Sequence, residues 1–393
     1  MSQTLSTASV AARPAAQAAS AGRLAAIVVF AAIVPAVLLM APAVASQLAV
    51  QLRLGPVSIG NLFSAELGAM SLATLPAWYW LPRLDWRRAA LGWAGLFVLA
   101  NLLSVWADAY SSLFALRIVS ALAGGSLMIL CMSSAAASAN PDRVYGLWVM
   151  GQLVLGAVGL AVLPRLFALY GIGACYAGLA LLMALATPLA RHLPAGAPDA
   201  ETTAVRPDAG GGRGLAVLGI AAVLTFYLSL SGVWTFADGL ARQAGLSAQA
   251  SGDVLALATL FGVLGALLAS LLGKRCWRRP ALVLGYLAML ASIALWLGAP
   301  GLMRFAVAAF GFKFAWTFVL PFILASLAAI DSSGRLMSTT NLVLGGGLAL
   351  GPMLAGHILA SGPAGFQALL TLALAVGGVS LGLILAAQGR RSV

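Results

Sequence analysis

The sequence is poor in charged residues, in histidine and in cysteine. Charged residues make up 8% of its 393 residues, whereas a soluble globular domain carries about a quarter. It has only two histidines and three cysteines, and the cysteines are placed for neither a disulfide framework nor a metal site. A soluble fold of this length would need more polar residues to cover its core, so the shortage of charge argues against a water-soluble protein.

Hydrophobic residues are abundant, at 62% of the chain. Several stretches exceed about 18 mostly apolar residues, the length that crosses a bilayer as a helix. These stretches lack the period-2 alternation of membrane-spanning strands. The sequence therefore predicts an all-α integral membrane protein whose surroundings are the lipid bilayer.

Hydropathy predicts twelve transmembrane helices. Their approximate ranges are 24–48, 57–81, 89–107, 112–138, 144–167, 170–190, 214–237, 251–273, 281–299, 302–329, 337–360 and 364–387. The stretch 191–213 is rich in Pro, Gly and charge, as is typical of a flexible linker. We therefore expect six-helix bundles at 23–190 and 214–387, with tails at 1–22 and 388–393. The first tail lacks the pattern of a signal peptide.

Most basic residues fall on one side of this arrangement. An even number of spans puts both termini on the same side, and that side holds 16 of the 22 Lys and Arg. The opposite side holds Arg53, Arg165, Arg242 and Arg304. The positive-inside rule then predicts cytoplasmic termini in a bacterial-type inner membrane. The net charge of +12 is thus explained by topology, and no nucleic-acid partner is expected.

The two halves repeat each other in sequence. Trp86-Arg87-Arg88 follows the second predicted helix, and Trp277-Arg278-Arg279 follows the eighth, 191 residues later. Three further pairs keep an offset of 192: Leu54 and Leu246, Gly60 and Gly252, Asn61 and Asp253. The turns at 140–146 and 331–337 also lie in equivalent places. The chain is therefore expected to form two pseudo-symmetric six-helix bundles in parallel orientation.

This plan resembles the major facilitator superfamily (MFS), and several motifs are similar to those of the family. Family members carry Gly-x-x-x-Asp-Arg-x-Gly-Arg-Arg after the second helix. Here Pro82–Arg88 keeps the Arg pair but has Pro82 for the Asp and Asp85 for the Gly. "RIVSALAGG", Arg117 to Gly125, is similar to the family's Arg-x-x-x-Gly-x-x-x-Gly, with Ala121 at the first Gly. Residues 331–352 resemble the usual start of the eleventh helix.

The resemblance, in particular to proton-coupled efflux branches, implies a secondary transporter that moves a small organic compound by alternating access. One departure concerns the fifth helix, which lacks the Gly-Pro pair of many antiporters; Gly351-Pro352 lies in the eleventh helix instead. Proton-coupled uptake of a small organic acid is the alternative, and a sensor or scaffold without flux is a third. The sequence has no nucleotide-binding loop, catalytic triad or metal-spaced cluster. We therefore expect a monomer that is not an enzyme and has no cofactor.

Ionisable residues within the spans are candidate functional groups, because charge in hydrocarbon is costly. Glu66 is the only acid deep in a predicted helix, which suits a carboxyl that takes up a proton on one side and releases it on the other. The alternative is a permanently neutral Glu. Arg117 cannot lose its proton and needs an acceptor, for which Glu66 and Asp108 are candidates, unless it reaches the lipid headgroups. The resemblance links this Arg to proton coupling.

The same helix carries small residues on the face opposite Glu66. Gly60, Ser64, Gly68 and Ser71 recur at helical spacing. Small residues at such spacing let two membrane helices pack closely. We therefore expect Glu66 to face a cavity.

Lys313 lies near the middle of the tenth predicted helix. It is expected to be a titrating amine, a fixed cation for an anionic substrate, or a lysine bonded to backbone carbonyls. Its neighbours Phe312 and Trp316 either line an aromatic cavity or pack between helices. Further substrate-contact candidates are Asn61, Asn101, Gln152, Tyr227, Trp234, Asn341 and His357.

The two repeated basic turns are expected to act as gates. Both lie at the predicted cytoplasmic ends of equivalent helices, where family members form charge networks. The residues concerned are Arg83, Asp85, Arg87, Arg88, Lys274, Arg278 and Arg279. We expect them to influence conformational switching and not substrate affinity.

Overall fold

The computed structural model describes residues 21–138, 140–195, 213–272, 278–298, 300–330 and 335–389. Throughout these ranges the regular structure is helical. Eight of the described helices are long and apolar enough to cross a membrane, judged by length and composition, and Ala21–Ile33 and Arg279–Leu295 are shorter apolar helices. The described helices account for all twelve predicted spans.

The first half contains nine α-helices within the described residues. They are α1 (Ala21–Ile33), α2 (Ala36–Leu39), α3 (Ala41–Gln51), α4 (Pro56–Leu72), α5 (Thr74–Trp80), α6 (Trp86–Ser104), α7 (Tyr110–Ala136), α8 (Pro141–Tyr170) and α9 (Gly173–Ala186). A 3₁₀ helix, Thr187–His192, continues α9. It extends to the first residues of the predicted linker, whose residues 196–212 lie outside the described part.

The second half contains seven α-helices within the described residues. They are α10 (Arg213–Thr235), α11 (Ala237–Gln243), α12 (Ala248–Leu272), α13 (Arg278–Leu295), α14 (Leu302–Ile330), α15 (Arg335–Leu359) and α16 (Gly365–Gly389). Their order along the chain repeats that of the first half, and the first span of each half is divided into shorter helices.

Three spans that the sequence predicts as continuous helices are broken. The first is interrupted at Pro35 and again at Met40, just before Pro42; proline cannot donate a backbone hydrogen bond, so its ring ends or kinks a helix. The second breaks at Ala73, because Pro76 has no N–H for the carbonyl of Leu72. The seventh breaks at Phe236, where no proline stands.

The two halves meet along two helix pairs, α4 with α15 and α8 with α12. In the first pair a Cβ on Gly60 would overlap the carbonyl oxygen of Pro352. In the second a Cβ on Gly252 would lie 2.5 Å from the carbonyl oxygen of Leu160. Both contacts are related by the same offset of 192 residues. The repeat in the sequence is therefore also a repeat in the packing.

Two polar contacts between the halves lie at the end of the bundle where α4 and α12 begin. Arg242 Nε in α11 donates to Ser46 Oγ in α3 over 2.8 Å. Gln249 Nε2 in α12 donates to the carbonyl oxygen of Ala161 in α8 over 3.0 Å. This end lies opposite the end at which α1 begins and α16 finishes. The halves are thus joined at the end away from the termini of the described chain.

Exposed aromatic side chains mark the ends of the spans. Trp78 and Tyr79, at the end of α5, are 75% and 69% exposed, and Trp106 and Tyr170, after α6 and at the end of α8, are 72% and 71% exposed. Trp and Tyr are enriched where a membrane surface meets water. Because α5 ends on one side of the bundle and α6 and α8 on the other, these rings indicate two interface levels of a multi-span membrane protein.

Candidate functional site

A pocket in the first half is formed at the break between α1 and α2. It is lined by the break itself and by α2, α4, α6 and α7, and it is partly open to the outside. Its walls are apolar except for Glu66, Arg117 and Ser120. Pro35, which interrupts the first span, is one of its lining residues. The pocket thus places two ionisable groups at a point where the backbone is already irregular.

The glycines of the "RIVSALAGG" segment bring α7 against α4. A Cβ on Gly125 would overlap the carbonyl oxygen of Met70, and one on Gly124 would lie 3.0 Å from Cγ1 of Val34. Gly125 therefore needs a residue without a side chain at this spacing of α7 and α4, whereas Gly124 packs against the side chain of Val34. The close approach places Arg117, eight residues before Gly125 on α7, beside Glu66 on α4.

Glu66 and Arg117 form a buried ion pair. Arg117 Nη1 lies 3.6 Å from Glu66 Oε1, and the two side chains are 1% and 15% exposed. Arg117 Nη2 donates to Asn101 Oδ1 over 3.1 Å and to Ser104 Oγ over 2.8 Å. The ring of Tyr176 lies 4.3 Å from the guanidinium carbon, at cation–π distance. Glu66 is the more exposed member of the pair.

Asn101 is itself held in the orientation that serves Arg117. Its Nδ2 donates to the carbonyl oxygen of Phe97 over 2.8 Å and to Ser120 Oγ over 2.9 Å, which turns Oδ1 toward the guanidinium. Nε and Nη1 of Arg117 have no hydrogen-bond partner among the described residues. The ion pair of 3.6 Å is longer than a hydrogen bond. A small movement of Glu66 would therefore add a hydrogen bond to the pair.

Asp108, the other predicted partner of Arg117, does not lie at this site. It is exposed in the turn before α7 and belongs to neither ion pair found among the described residues. It lies nine positions before Arg117 and outside α7, which begins at Tyr110. Of the two candidate partners, the described structure therefore places Glu66 and not Asp108 beside Arg117.

Lys313 lies in a separate cluster within the second half. Its Nζ lies 3.6 Å from the ring centroid of Trp234 and 4.4 Å from that of Trp316, and the residue is 3% exposed. Phe312 stacks on Trp234 with ring centroids 6.5 Å apart, and Tyr227 meets Trp316 edge-on at 6.3 Å. Within the described part of the chain the ammonium makes no hydrogen bond and no ion pair. Two indole rings enclose it instead.

The remaining polar candidates lie neither in the pocket nor in the cluster around Lys313. Gln152 donates to the carbonyl oxygen of Ala31 over 2.9 Å, and His357 is exposed with Nδ1 2.9 Å from the carbonyl oxygen of Met353. Asn61 is half-buried on α4 but does not line the pocket. The side chain of Asn341 lies outside the described residues. The predicted substrate residues therefore do not form one site in this conformation.

The basic turn between α5 and α6 is built around Asp85. Its Oδ1 accepts from the backbone N of Arg87 over 2.8 Å and of Arg88 over 3.2 Å, and so caps α6. Arg87 Nε donates to the carbonyl oxygen of Leu193 over 2.7 Å. Arg83 lies over the ring of Tyr79 at 4.0 Å. The carboxylate of Asp85 therefore serves as a helix cap instead of an ion-pair partner.

The equivalent basic turn of the second half is only partly described. Arg279 is exposed at the start of α13. Lys274 and the side chain of Arg278 lie outside the described residues. The expected symmetry of the two gates is therefore described only at Arg279, at the start of its helix.

Two functional candidates were missed in the sequence. Asp238 is 4% exposed and pairs with Arg242 over 2.8 Å, and Arg242 in turn contacts Ser46 of the other half. The i,i+4 spacing of an acid and a base was the available signal. The hydroxyls of Ser104 and Ser120, which complete the Arg117 network, gave no signal because serine is common in membrane helices.

Comparison with known proteins gives the fold. No family model matches the sequence, and no curated protein matches it. The structure of the nucleoside transporter NupG superposes with a TM-score of 0.70, covering 94% of this chain and 98% of its own at 14% identity. The fold is that of the major facilitator superfamily.

A second structure supports the MFS fold. It is a bacterial homologue of the human lysosomal transporter Spinster, in an inward-facing and occupied conformation, with a TM-score of 0.66. It covers 93% of this chain and 96% of its own, at 14% identity. The MFS fold confirms the prediction of twelve helices in two pseudo-symmetric bundles.

Proposed function

We propose that this protein is a secondary transporter that moves a small organic compound across the inner membrane by alternating access. The MFS fold, the two halves joined at one end, and a pocket with an irregular wall support this proposal. Such transporters bind substrate near the midplane and switch by rocking one half against the other. If the termini are cytoplasmic, the joined end is the outer one and the conformation is inward-facing.

The energy source proposed is the proton gradient, coupled at Glu66 in the direction of efflux. The observation that carries this proposal is the Glu66–Arg117 ion pair in the pocket. The guanidinium is always charged, and removing its partner from a buried pair costs about 3–5 kcal/mol. Protonation of Glu66 abolishes the attraction and so changes the balance between conformations. Arg117, Asn101 and Ser104 position the carboxylate, and Glu66 carries the proton.

The proposal is tested by measuring the transport of compounds into or out of proteoliposomes that contain the protein, under an imposed pH gradient. A compound library for the screen includes nucleosides, because NupG is a nucleoside transporter. Glu66→Gln keeps shape and hydrogen bonding but cannot titrate. We expect this variant to exchange substrate across the membrane and to lose uphill accumulation, since exchange needs no net proton movement.

Glu66→Asp is the matched control, because it keeps a titratable carboxyl at the same position. We expect it to retain part of the gradient-driven accumulation. Accumulation by Glu66→Gln at the parent rate would reject the coupling role, and Glu66 would then be a neutral structural carboxyl.

Uptake of a small organic acid is the second candidate. The observation that favours it is the ammonium of Lys313, which has no acidic partner within the described residues. Lys313 and Arg117 would then hold a carboxylate. Because Lys313 is 3% exposed, a substrate reaches it only in another conformation. The same liposome screen separates the two candidates by the direction in which the pH gradient drives the compound.

A further inference from the structure

A polar contact between the halves joins α4 to the backbone of α15. Ser64 Oγ donates to the carbonyl oxygen of Ala349 and accepts from the backbone N of Met353 over 3.0 Å. In an α-helix these two backbone groups are the acceptor and donor of a single i→i−4 hydrogen bond. The hydroxyl of one half therefore lies against the backbone hydrogen-bond ladder of the other.

The contact lies where α15 is weakest. Pro352 stands inside α15 and has no N–H, so it leaves the carbonyl of Leu348 without its usual donor. Serine hydroxyls commonly satisfy backbone groups freed in this way in membrane helices. Ser64 thus contacts α15 one residue from the break that Pro352 causes. A hydrogen bond from another helix disturbs α15 least at such a position.

The backbones on either side of Ser64 are in direct contact. A Cβ on Gly60 would overlap the carbonyl oxygen of Pro352, and a Cβ on Gly356 would overlap that of Pro56. The hydroxyl can reach Ala349 and Met353 only while the helices remain this close. If the halves separate at this end, both hydrogen bonds are lost together.

The equivalent helix pair lacks this bridge. The residue 192 positions after Ser64 is Ala256, which has no hydroxyl. There the polar contact is the amide of Gln249, which donates to the carbonyl oxygen of Ala161 on α8, three residues before Pro164. The α4–α15 contact differs from it in using a hydroxyl that both donates to and accepts from the backbone of the partner helix.

We propose that Ser64 is a conformation-dependent latch, which bonds to the backbone of α15 only when the halves are closed at this end. Ser64 lies two residues before Glu66 on α4. Because two residues correspond to about 200° of helical rotation, the two side chains lie on opposite faces of the helix. A change at the pocket that moves α4 therefore also strains the latch. This inference rests on the proposed alternating access, and it adds the device that holds one of the two states.

The test measures the distance between spin labels at the joined end in the full-length protein. Val50→Cys in α3 and Ser361→Cys after α15 are exposed and lie in different halves. They are introduced after Cys131, Cys175 and Cys276 have been replaced. Ser64→Ala should lower the ratio of short to long distances by about fivefold or more, as expected for one to two lost hydrogen bonds.

Two further variants serve as the positive and the negative control for Ser64→Ala. Gly60→Ala should open the same end, because its Cβ meets Pro352. Ser126→Ala is the matched control, since the hydroxyl of Ser126 bonds only to the carbonyl oxygen of Leu122 within α7; it should leave the distances unchanged. Thermal unfolding of each variant verifies folding, and Ser64→Gly, which also lacks the hydroxyl, replaces Ser64→Ala if the latter is unfolded.

The outcomes are distinct. A shift in Ser64→Ala in the same direction as in Gly60→Ala supports the latch. Unchanged distances in Ser64→Ala overturn it, whether or not Gly60→Ala opens the protein. The distances are measured without substrate and at one pH, so the latch can fail while transport is confirmed, and transport can fail while the latch is confirmed.

Discussion

At the scale of single residues, the two buried positive charges, Arg117 and Lys313, have different surroundings. Arg117 has an acid, an amide oxygen, a hydroxyl and an aromatic ring around it. Lys313 has two indole rings, and no acid among the described residues. A guanidinium offers five donors in a plane, whereas an ammonium is a compact charge that stabilises well over ring faces. The pair Glu66–Arg117 is thus internally neutral, and Lys313 is an unbalanced positive charge.

This imbalance gives a prediction for Lys313. If it holds an anionic substrate, Lys313→Ala should weaken binding about 10- to 100-fold, because a hydrogen bond to a charged group contributes about 1.5–3 kcal/mol. Binding to purified protein can be followed by tryptophan fluorescence, since Trp234 and Trp316 touch the ammonium. Lys313→Arg keeps the charge and should keep most of the affinity. Equal affinity in the parent and in Lys313→Ala would show that the ammonium does not contact substrate.

At the scale of helices, irregular backbone and small residues position the site. The break at Pro35 opens the wall of the pocket, and Gly125 lets α7 approach α4. Neither Pro35 nor Gly125 carries a charge. They affect the distance between Glu66 and Arg117 instead, and a shift of less than 1 Å separates an ion pair from a hydrogen bond.

A substitution at Gly125 tests this effect. Gly125→Ala should lower the unfolding temperature and weaken proton coupling, because its Cβ would displace α7 from Met70 and separate Arg117 from Glu66. Gly92→Ala on α6 is the matched control: no atom lies within 4 Å of its Cβ position. There alanine should stabilise the helix by up to about 1 kcal/mol. A Gly125→Ala protein with parent stability and coupling would contradict the packing argument.

The basic turn before α6 gives a second prediction at this scale. Arg87 ties the start of α6 to Leu193, at the end of the first half, so we propose that the turn controls switching. Replacing Arg87 and Arg88 with Ala should slow turnover and leave substrate affinity within a few-fold. Turnover rate and substrate affinity measured in the same liposomes test whether the turn controls switching. Lost affinity with normal turnover would reject a gating role.

At the scale of the whole molecule, two equivalent halves are joined by two equivalent helix pairs. The contacts Gly60–Pro352 and Gly252–Leu160 share the offset of the sequence repeat. A pseudo-twofold arrangement of this kind allows the halves to rock about their common axis. In the alternating access proposed above, the side that is joined in this structure defines one of the two end states.

The orientation in the membrane is the prediction that belongs to this scale. Both termini should be cytoplasmic, because 16 of the 22 Lys and Arg fall on their side. A reporter active only in the cytoplasm, fused after Val393, should give signal. A silent cytoplasmic fusion together with an active periplasmic one would reverse the topology and make this conformation outward-facing.

The sequence by itself determined the number of spans, the division into halves and the two ionisable groups of the pocket. Hydropathy and charge are local properties, so each span could be found without its neighbours. The repeat of Trp-Arg-Arg was also readable, since equivalent turns keep equivalent residues. Glu66 and Arg117 were prominent because charges within hydrocarbon are rare and costly.

The tertiary structure decided which groups meet. That Arg117 faces Glu66 and not Asp108 follows from the rotation of α7 and from its close approach at Gly125, and neither is encoded in the spacing of charges. The enclosure of Lys313 by Trp234 depends on α10 and α14, which lie far apart in the chain. Ser64 gains its partners from the other half of the molecule. Contacts between helices depend on distances of a few tenths of an ångström, and these are set by all the side chains of the interface together.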